Sequence, residues 1–198
     1  MSLYMANVVV PNTDSAWEEL CENSNAWKGL LWRLFSHAGL PENEGGYVFR
    51  ETIKKDVVKF FLMSSHQPDV KAYGRRPITV EMREVNTEAF CPGAKFRFLS
   101  RFSPQRRRAD GKRVLIRDAE VPKWLGRQIF KAATLVESRI IKSGIREGYK
   151  DEQVITHPWV DVEGILMVDD TQLFVEKLVT GVGRGKRYGL GMIVLRPN

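Results

Sequence analysis

Residues 181–191 read Gly-Val-Gly-Arg-Gly-Lys-Arg-Tyr-Gly-Leu-Gly and run directly into the apolar stretch Met192 to Leu195. Glycines at 181, 183, 185, 189 and 191 let a backbone take positive φ and approach a ligand without side chains in the way. Arg184, Lys186 and Arg187 put cationic donors on the same loop, and successive backbone N–H groups add more. Gly183, Arg184, Gly185, Lys186 and Arg187 are therefore expected to hold phosphate. The chemistry is recognition of a polyanion.

Two further basic clusters accompany the loop. Ala94 to Leu99 reads as a strand whose alternation puts Lys95, Arg97, Leu99 and Arg101 on one side and Phe96 and Phe98 on the other. That cluster continues through Arg106, Arg107 and Arg108 to Lys112 and Arg113. Arg139, Lys142, Arg146 and Lys150 are spaced through a β-hairpin expected around Gly144 and Gly148, which would reach into the groove of a folded RNA. The plain alternative is a set of solvated basic loops. Against it stands the distribution of charge: residues 1–92 hold 10 Lys+Arg and 12 Asp+Glu, residues 93–198 hold 21 and 12, and the whole net charge of +7 comes from the second half. Such an asymmetry is the footprint of a nucleic-acid surface.

The groups with the right chemistry for catalysis lie on one helix. Ser15-x-x-Glu18 is a capping box, and Trp17, Leu20, Cys21, Trp27, Leu31, Leu34 and Phe35 follow at helical spacing. This predicts a helix from 15 to 37, ended by Gly39 and Pro41. Asn25, Lys28 and Trp32 share one side of it, while Arg33 and His37, four apart, share another. Lys28 and His37 are not expected in one site. Gly29 costs roughly 1 kcal/mol against alanine within a helix, which points to close approach of something there. The ordinary reading of Lys28 is a lysine snorkelling from the edge of the core.

Composition narrows the class. Cys21 and Cys91 form no metal spacing, and His37, His66 and His157 are scattered, so neither a metal nor another cofactor is expected, and a reduced, cytoplasmic protein is. Apolar runs such as Phe60 to Met63 are too short to span a bilayer, and the N-terminal residues lack the basic flank of a secretion signal.

The elements expected to position these groups repeat one grammar. Tyr4 to Val10, the 15–37 helix, Tyr47 to Thr52, Val57 to Ser64 and a short strand at Ile78 to Met82 form the first round, with no evident second helix. Ala94 to Leu99, a helix over Asp118 to Ala133, strands at Leu135 to Lys142 and Trp159 to Val168, a helix over Thr171 to Val179 and a strand at Tyr188 to Leu195 form the second. The economical architecture is α+β: tandem β-α-β-β-α-β units, each ferredoxin-like (RRM-like), over residues 1–92 and 93–198.

At this point the residues carry a resemblance. The tail from Gly181 to Leu195 resembles the C-terminal glycine-rich motif of CRISPR repeat-processing endoribonucleases, in particular the CasE type of Cascade complexes. Lys95-Phe-Arg-Phe-Leu-Ser-Arg-Phe-Ser-Pro resembles the strand that opens the family's second domain, with Gly111-Lys-Arg-Val as its continuation. Ala119 to Leu125, ending in Lys-Trp-Leu, is similar to the following helix start, and Val162-Glu-Gly-Ile-Leu-Met-Val-Asp to the strand before the last helix.

The resemblance implies binding of a CRISPR repeat hairpin and metal-independent cleavage of the precursor by attack of the 2′-hydroxyl on the adjacent phosphate. It further implies retention of the mature guide RNA among the other subunits of a Cascade-like complex, away from membranes. A family pattern places a tyrosine and, three residues on, a histidine in the first helix; here Asn25 and Lys28 stand at those positions. A lysine ammonium stabilises phosphorane charge, and becomes a base only where burial or neighbouring cations bring its pKa far down. Lys28 is thus expected to act electrostatically or as acid, with Asn25 beside it and His37 as the substitute if the helix sits differently. A catalytically inactive subunit that holds the RNA hairpin is the alternative, followed by a DNA-binding or unrelated RRM-like protein.

Overall fold

The computed structural model describes residues 2–39, 46–111, 113–150 and 153–196, the side chain of Lys150 excepted. Along the chain come β1 (Tyr4–Pro11), α1 (Trp17–Glu22), α2 (Ala26–Trp32), β2 (Tyr47–Lys54), β3 (Val57–Ser64) and β4 (Thr79–Glu84). They are followed by β5 (Lys95–Phe102), β6 (Gln105–Arg107), β7 (Arg113–Leu115), α3 (Val121–Ile129), β8 (Ala133–Lys150), β9 (Gln153–Val168), α4 (Thr171–Thr180) and β10 (Ile193–Arg196). The first sheet runs β2-β3-β1-β4 and the second β10-β5-β9-β8, every recorded pair being antiparallel. In both, the first and third strands of the unit lie in the middle and the second and fourth at the edges. This is the α+β, tandem ferredoxin-like architecture.

Alternation decides which strand face is buried. Ala6, Val8 and Val10 of β1 and Val58, Phe60 and Leu62 of β3 are buried under Trp27, Leu31, Leu34 and Phe35, each large apolar side chain contributing about 1.5–3 kcal/mol. The opposite face of the first sheet offers Val48 and Met63, with Leu3 ahead of β1, to the core formed by Phe174, Val175 and Leu178 of α4. The two units therefore share a core at their junction.

The expected 15–37 helix is broken. α1 ends at Glu22, the chain turns through Asn23 to Asn25, α2 ends at Trp32, and a 3-10 turn covers Arg33–Ala38 with Gly39 at φ +64° closing it. The break has a local cause: Asn23 Oδ1 accepts the backbone N–H of Asn25 at 3.0 Å, the competition with helix that asparagine offers. Nor does Ser15 cap α1. Asp14 Oδ1 accepts the Ala16 N–H at 2.9 Å, and no side chain caps the first helical residue. Pro41 lies outside the described residues.

Where the first unit lacks a second helix, residues 65–78 fold as irregular turns that still cover the core. Tyr73 is buried and donates its hydroxyl to the Leu30 carbonyl at 2.8 Å, and the Asp69 N–H bonds the Leu34 carbonyl at 2.8 Å. In the second unit the strands at the hairpin are longer than the sequence suggested: β8 has 18 residues and β9 has 16, with β8 bulged at Val136 and Ile141. Among the described residues no helix is long and apolar enough to cross a membrane.

Candidate nucleic-acid interface

The long β8–β9 hairpin, the break between α1 and α2 and the glycine-rich loop meet at one place. Ser24 Oγ donates to the Glu147 carbonyl at 2.7 Å, and Asn23 Oδ1 accepts the Tyr149 N–H at 3.0 Å. Gly148 permits this contact, since a Cβ there would lie 2.7 Å from Ser24 Oγ. α2 in turn packs beside the short 3-10 turn Lys186–Tyr188 within the glycine-rich loop. Asn25, at the start of α2, and Lys28, in its first turn, are half-buried, and the Lys28 carbonyl accepts the Tyr47 hydroxyl at 3.5 Å. Among the described residues a Cβ at Gly29 would meet nothing within 4 Å, so no close approach among them accounts for this glycine. His37 is exposed on the 3-10 turn after α2.

All five glycines of the loop have positive φ, between +68° and +89°. At Gly189 the requirement is double, because a Cβ would also strike the Glu51 carboxylate and lie 3.0 Å from Arg146 Nη1. The loop closes on itself through Val182 N–H to Gly191 O at 2.8 Å and Tyr188 N–H to Gly185 O at 2.8 Å, and is anchored by Gly191 N–H to Arg101 O at 2.7 Å. Arg184 and Arg187 project as exposed side chains, and Lys186 and the backbone at Gly183 and Gly185 are half-buried. Burial, with Lys177 nearby, holds the Lys186 ammonium below the usual lysine value.

Two of the expected RNA contacts lie elsewhere. Arg101 and Arg146 are drawn into an interior network with Arg50, Glu51 and Asp161. Arg101 grips Asp161 through two hydrogen bonds of 2.8 Å, reaches Glu51 Oε1 at 3.3 Å and stacks 3.7 Å from the centre of the Trp159 ring. Arg146, only 9% exposed, donates to Glu51 and to the Tyr188 carbonyl and sits over Trp27. Arg50 completes the set with 3.3 Å to Asp161. Burial first, and then the neighbouring Arg101, lowers the basicity of Arg50, and burial first lowers that of Arg146; both nonetheless stay charged. Both carboxylates come from strands that gave no sequence signal for such a role. The physical reason for the correction is that an arginine beside two buried carboxylates satisfies them rather than solvent.

The remaining cations occupy two surfaces. Arg106, Arg107 and Arg108 are exposed on and beside the β6–β7 ribbon with Arg113, and Lys112 lies outside the described residues. Arg107 and Arg113 are cross-strand partners, and like charges directly opposite destabilise a ribbon unless an anion lies across them. Lys95, Arg97 and Arg139 lie on the open face of the second sheet, where Arg97, Arg139, Glu163, Ile165 and Arg196 line a shallow hollow. Arg139 is held to Glu163 by a 2.6 Å hydrogen bond, and Lys142 is exposed farther along β8. Arg196 was missed because a lone arginine after a strand carries no pattern.

His157 was also missed. It pairs across the hairpin with Arg146, its ring packs at a tilt on Tyr188 with centroids 4.1 Å apart, and burial, followed by Arg146 and Arg184, depresses its pKa. The register of the β8–β9 hairpin and the fold of the loop against it bring these three residues together.

Known proteins share this architecture. A structure of the CRISPR endoribonuclease Cse3 bound to a 19-nucleotide RNA superposes with a TM-score of 0.86 at 23% identity over 100% of both chains. Cse3 of Thermus thermophilus, bound to an RNA representing a pre-cleavage complex, gives 0.83 at 24% identity, again over 100% of both. Cas6e of Escherichia coli K-12 gives 0.74 at 22% identity over 98% of this chain and 100% of that one. No curated protein sequence matches the chain. The profile of a family described as CRISPR associated protein matches residues 3–197. With that span the chain belongs to the CRISPR-associated protein family, and its fold is that of Cse3 and Cas6e.

Proposed function

We propose that the chain binds the repeat hairpin of precursor CRISPR RNA and cuts it as an endoribonuclease, by attack of a 2′-hydroxyl on the adjacent phosphate. The observation that carries the reading is the seating of α2, with Asn25 and Lys28, beside the Lys186–Tyr188 turn of a loop that presents exposed Arg184 and Arg187. In the reaction the 2′-oxygen bonds to phosphorus and loses its proton, the bond to the 5′-oxygen breaks, and that oxygen gains a proton. The products are a 2′,3′-cyclic phosphate and a 5′-hydroxyl. Lys28 stabilises the phosphorane or protonates the leaving oxygen, and Asn25 at the start of α2 orients the reacting ribose. Arg184, Lys186 and Arg187 hold the backbone near the cut, while Arg106, Arg107, Arg108, Lys112 and Arg113 follow the flanking phosphates. No metal takes part, and the cut guide stays bound within a Cascade-like complex.

One observation favours a second reading, an RNA-holding subunit without activity: α2 carries neither the tyrosine nor the histidine of the family pattern. Repeat RNA incubated with the protein in EDTA separates the two. A single cut leaving a cyclic phosphate, slowed at least tenfold by Lys28→Ala with hairpin affinity kept, is the expected result. Tight binding without a cut establishes the holding subunit, and an unchanged rate in Lys28→Ala removes the lysine from the site.

A further inference from the structure

His157 has a place in this interface that the cleavage reading does not use. Two side chains from the hairpin hold the same loop residue: Arg146 takes the backbone carbonyl of Tyr188, and His157, its cross-strand partner, packs on the Tyr188 ring. Tyr188 ends the turn that leans on α2, so the pair fixes how the glycine-rich loop faces Lys28. Among the described residues His157 Nε2 is enclosed without a hydrogen-bond partner, an unusual state for a buried polar atom.

The charges around the ring have one sign. Arg146 lies across from it on β8 and Arg184 lies on the loop, and both disfavour imidazolium, as does burial. The carboxylate nearest in the network, Glu51 on β2, is engaged by Arg146 and Arg101. Tyr188 offers the ring only its aromatic face. In the free protein burial and both arginines therefore favour the neutral imidazole. A phosphodiester at Arg184 weakens this field, because its negative charge offsets one of the cations that oppose protonation.

We propose that His157 is a positioning residue of the RNA site: with Arg146 it clamps Tyr188, and its imidazole takes up a proton when a phosphodiester occupies the glycine-rich loop. This rests on the RNA-binding reading above. By linkage, a group whose pKa is higher in the complex than in the free protein makes binding tighter as pH falls through the interval between the two values.

The experiment measures affinity for a repeat hairpin carrying a 2′-deoxy substitution at the cut, from pH 8.0 to 5.5 at constant ionic strength. It compares the full chain with His157→Phe, which keeps a stacking ring and cannot titrate, and with His157→Ala. The wild type should gain severalfold more affinity over that range than His157→Phe, a one-unit rise in pKa on binding having a limit of about tenfold once the pH lies below both values. The two should agree within about twofold at pH 8.0, where the imidazole is neutral in both states. His157→Ala, which withdraws the ring behind Tyr188, should bind about tenfold more weakly at pH 8.0. Parallel pH profiles for wild type and His157→Phe overturn the proton uptake, and undiminished binding by His157→Ala overturns the clamp. A wild type that prefers the repeat hairpin no more than a scrambled RNA overturns the RNA reading itself, a different result from either.

Discussion

Replacing Glu51 by alanine tests whether the interior arginine network is what holds the two units and the loop together. Glu51 is 6% exposed at its side chain and answers both Arg146 and Arg101, whose side chains are 9% and 16% exposed. Asp161 is already occupied by Arg101 and Arg50. Three guanidiniums thus face two carboxylates, and the substitution leaves one to answer all three. Removing one partner of a buried pair costs about 3–5 kcal/mol, because the charge left behind is uncompensated. For a chain of this size that lowers the melting temperature by about 6–20 °C. The assay is a thermal melt beside a denaturant titration, with Glu51→Gln as a control that keeps an acceptor and should lose roughly half as much. The double variant Glu51→Ala with Arg146→Met should recover much of the loss, since it withdraws the unpaired charge along with its partner. A loss below about 1 kcal/mol in the single variant would refute the reasoning. The arginines would then be solvated, and free to contact RNA as their sequence positions first suggested.

Two other outcomes follow from the same structure. Arg184→Ala with Arg187→Ala should weaken hairpin binding about five- to tenfold near physiological salt and flatten the salt dependence by roughly 1.5 in logarithmic slope, with the melting temperature unchanged; unaltered binding would take the glycine-rich loop out of the RNA site. Asp14, buried and held by Arg76 through hydrogen bonds of 3.0 and 2.5 Å, has its carboxyl pulled below the usual aspartate range, chiefly by that arginine. A depressed carboxyl stabilises the fold above its unfolded pKa and loses that contribution as pH falls through the folded one, so the deficit of Asp14→Ala, about 2 kcal/mol at pH 7, should hold to about pH 4 and shrink below it.

Much of the fold was legible because its signals are local. β2 and β3 carry alternating apolar residues between clear turns, and the structure starts them at Tyr47 and Val57, where the sequence reading did. The glycine-rich loop was legible for the same reason: positive φ is a property of single residues, and glycine is the residue that permits it at little cost. The helix at 15–37 was misread where two local signals competed. Its apolar spacing continues through Asn23 to Asn25, but the Asn23 side chain bonds the backbone two residues on and also reaches the hairpin, so the tertiary contact settled the contest in favour of a turn.

The site divides along the same line. Strand alternation correctly placed Lys95, Arg97 and Arg101 on one face of β5, yet the fate of each differs. Lys95 and Arg97 are exposed, whereas Arg101 meets a carboxylate 50 residues before it in the chain and another 60 after it. Arg146 and Glu51 are 95 residues apart. A strand pattern states which side of the sheet a cation takes and is silent about which distant carboxylate waits there. The charge count is affected accordingly: part of the positive excess of the second half answers Glu51, a residue of the first. Outside the network, Arg184 and Arg187 on the loop and the opposed pair Arg107 and Arg113 on the ribbon are exposed cations whose repulsion an external anion would relieve. The buried arginines build the frame, and the exposed ones define where the phosphates go.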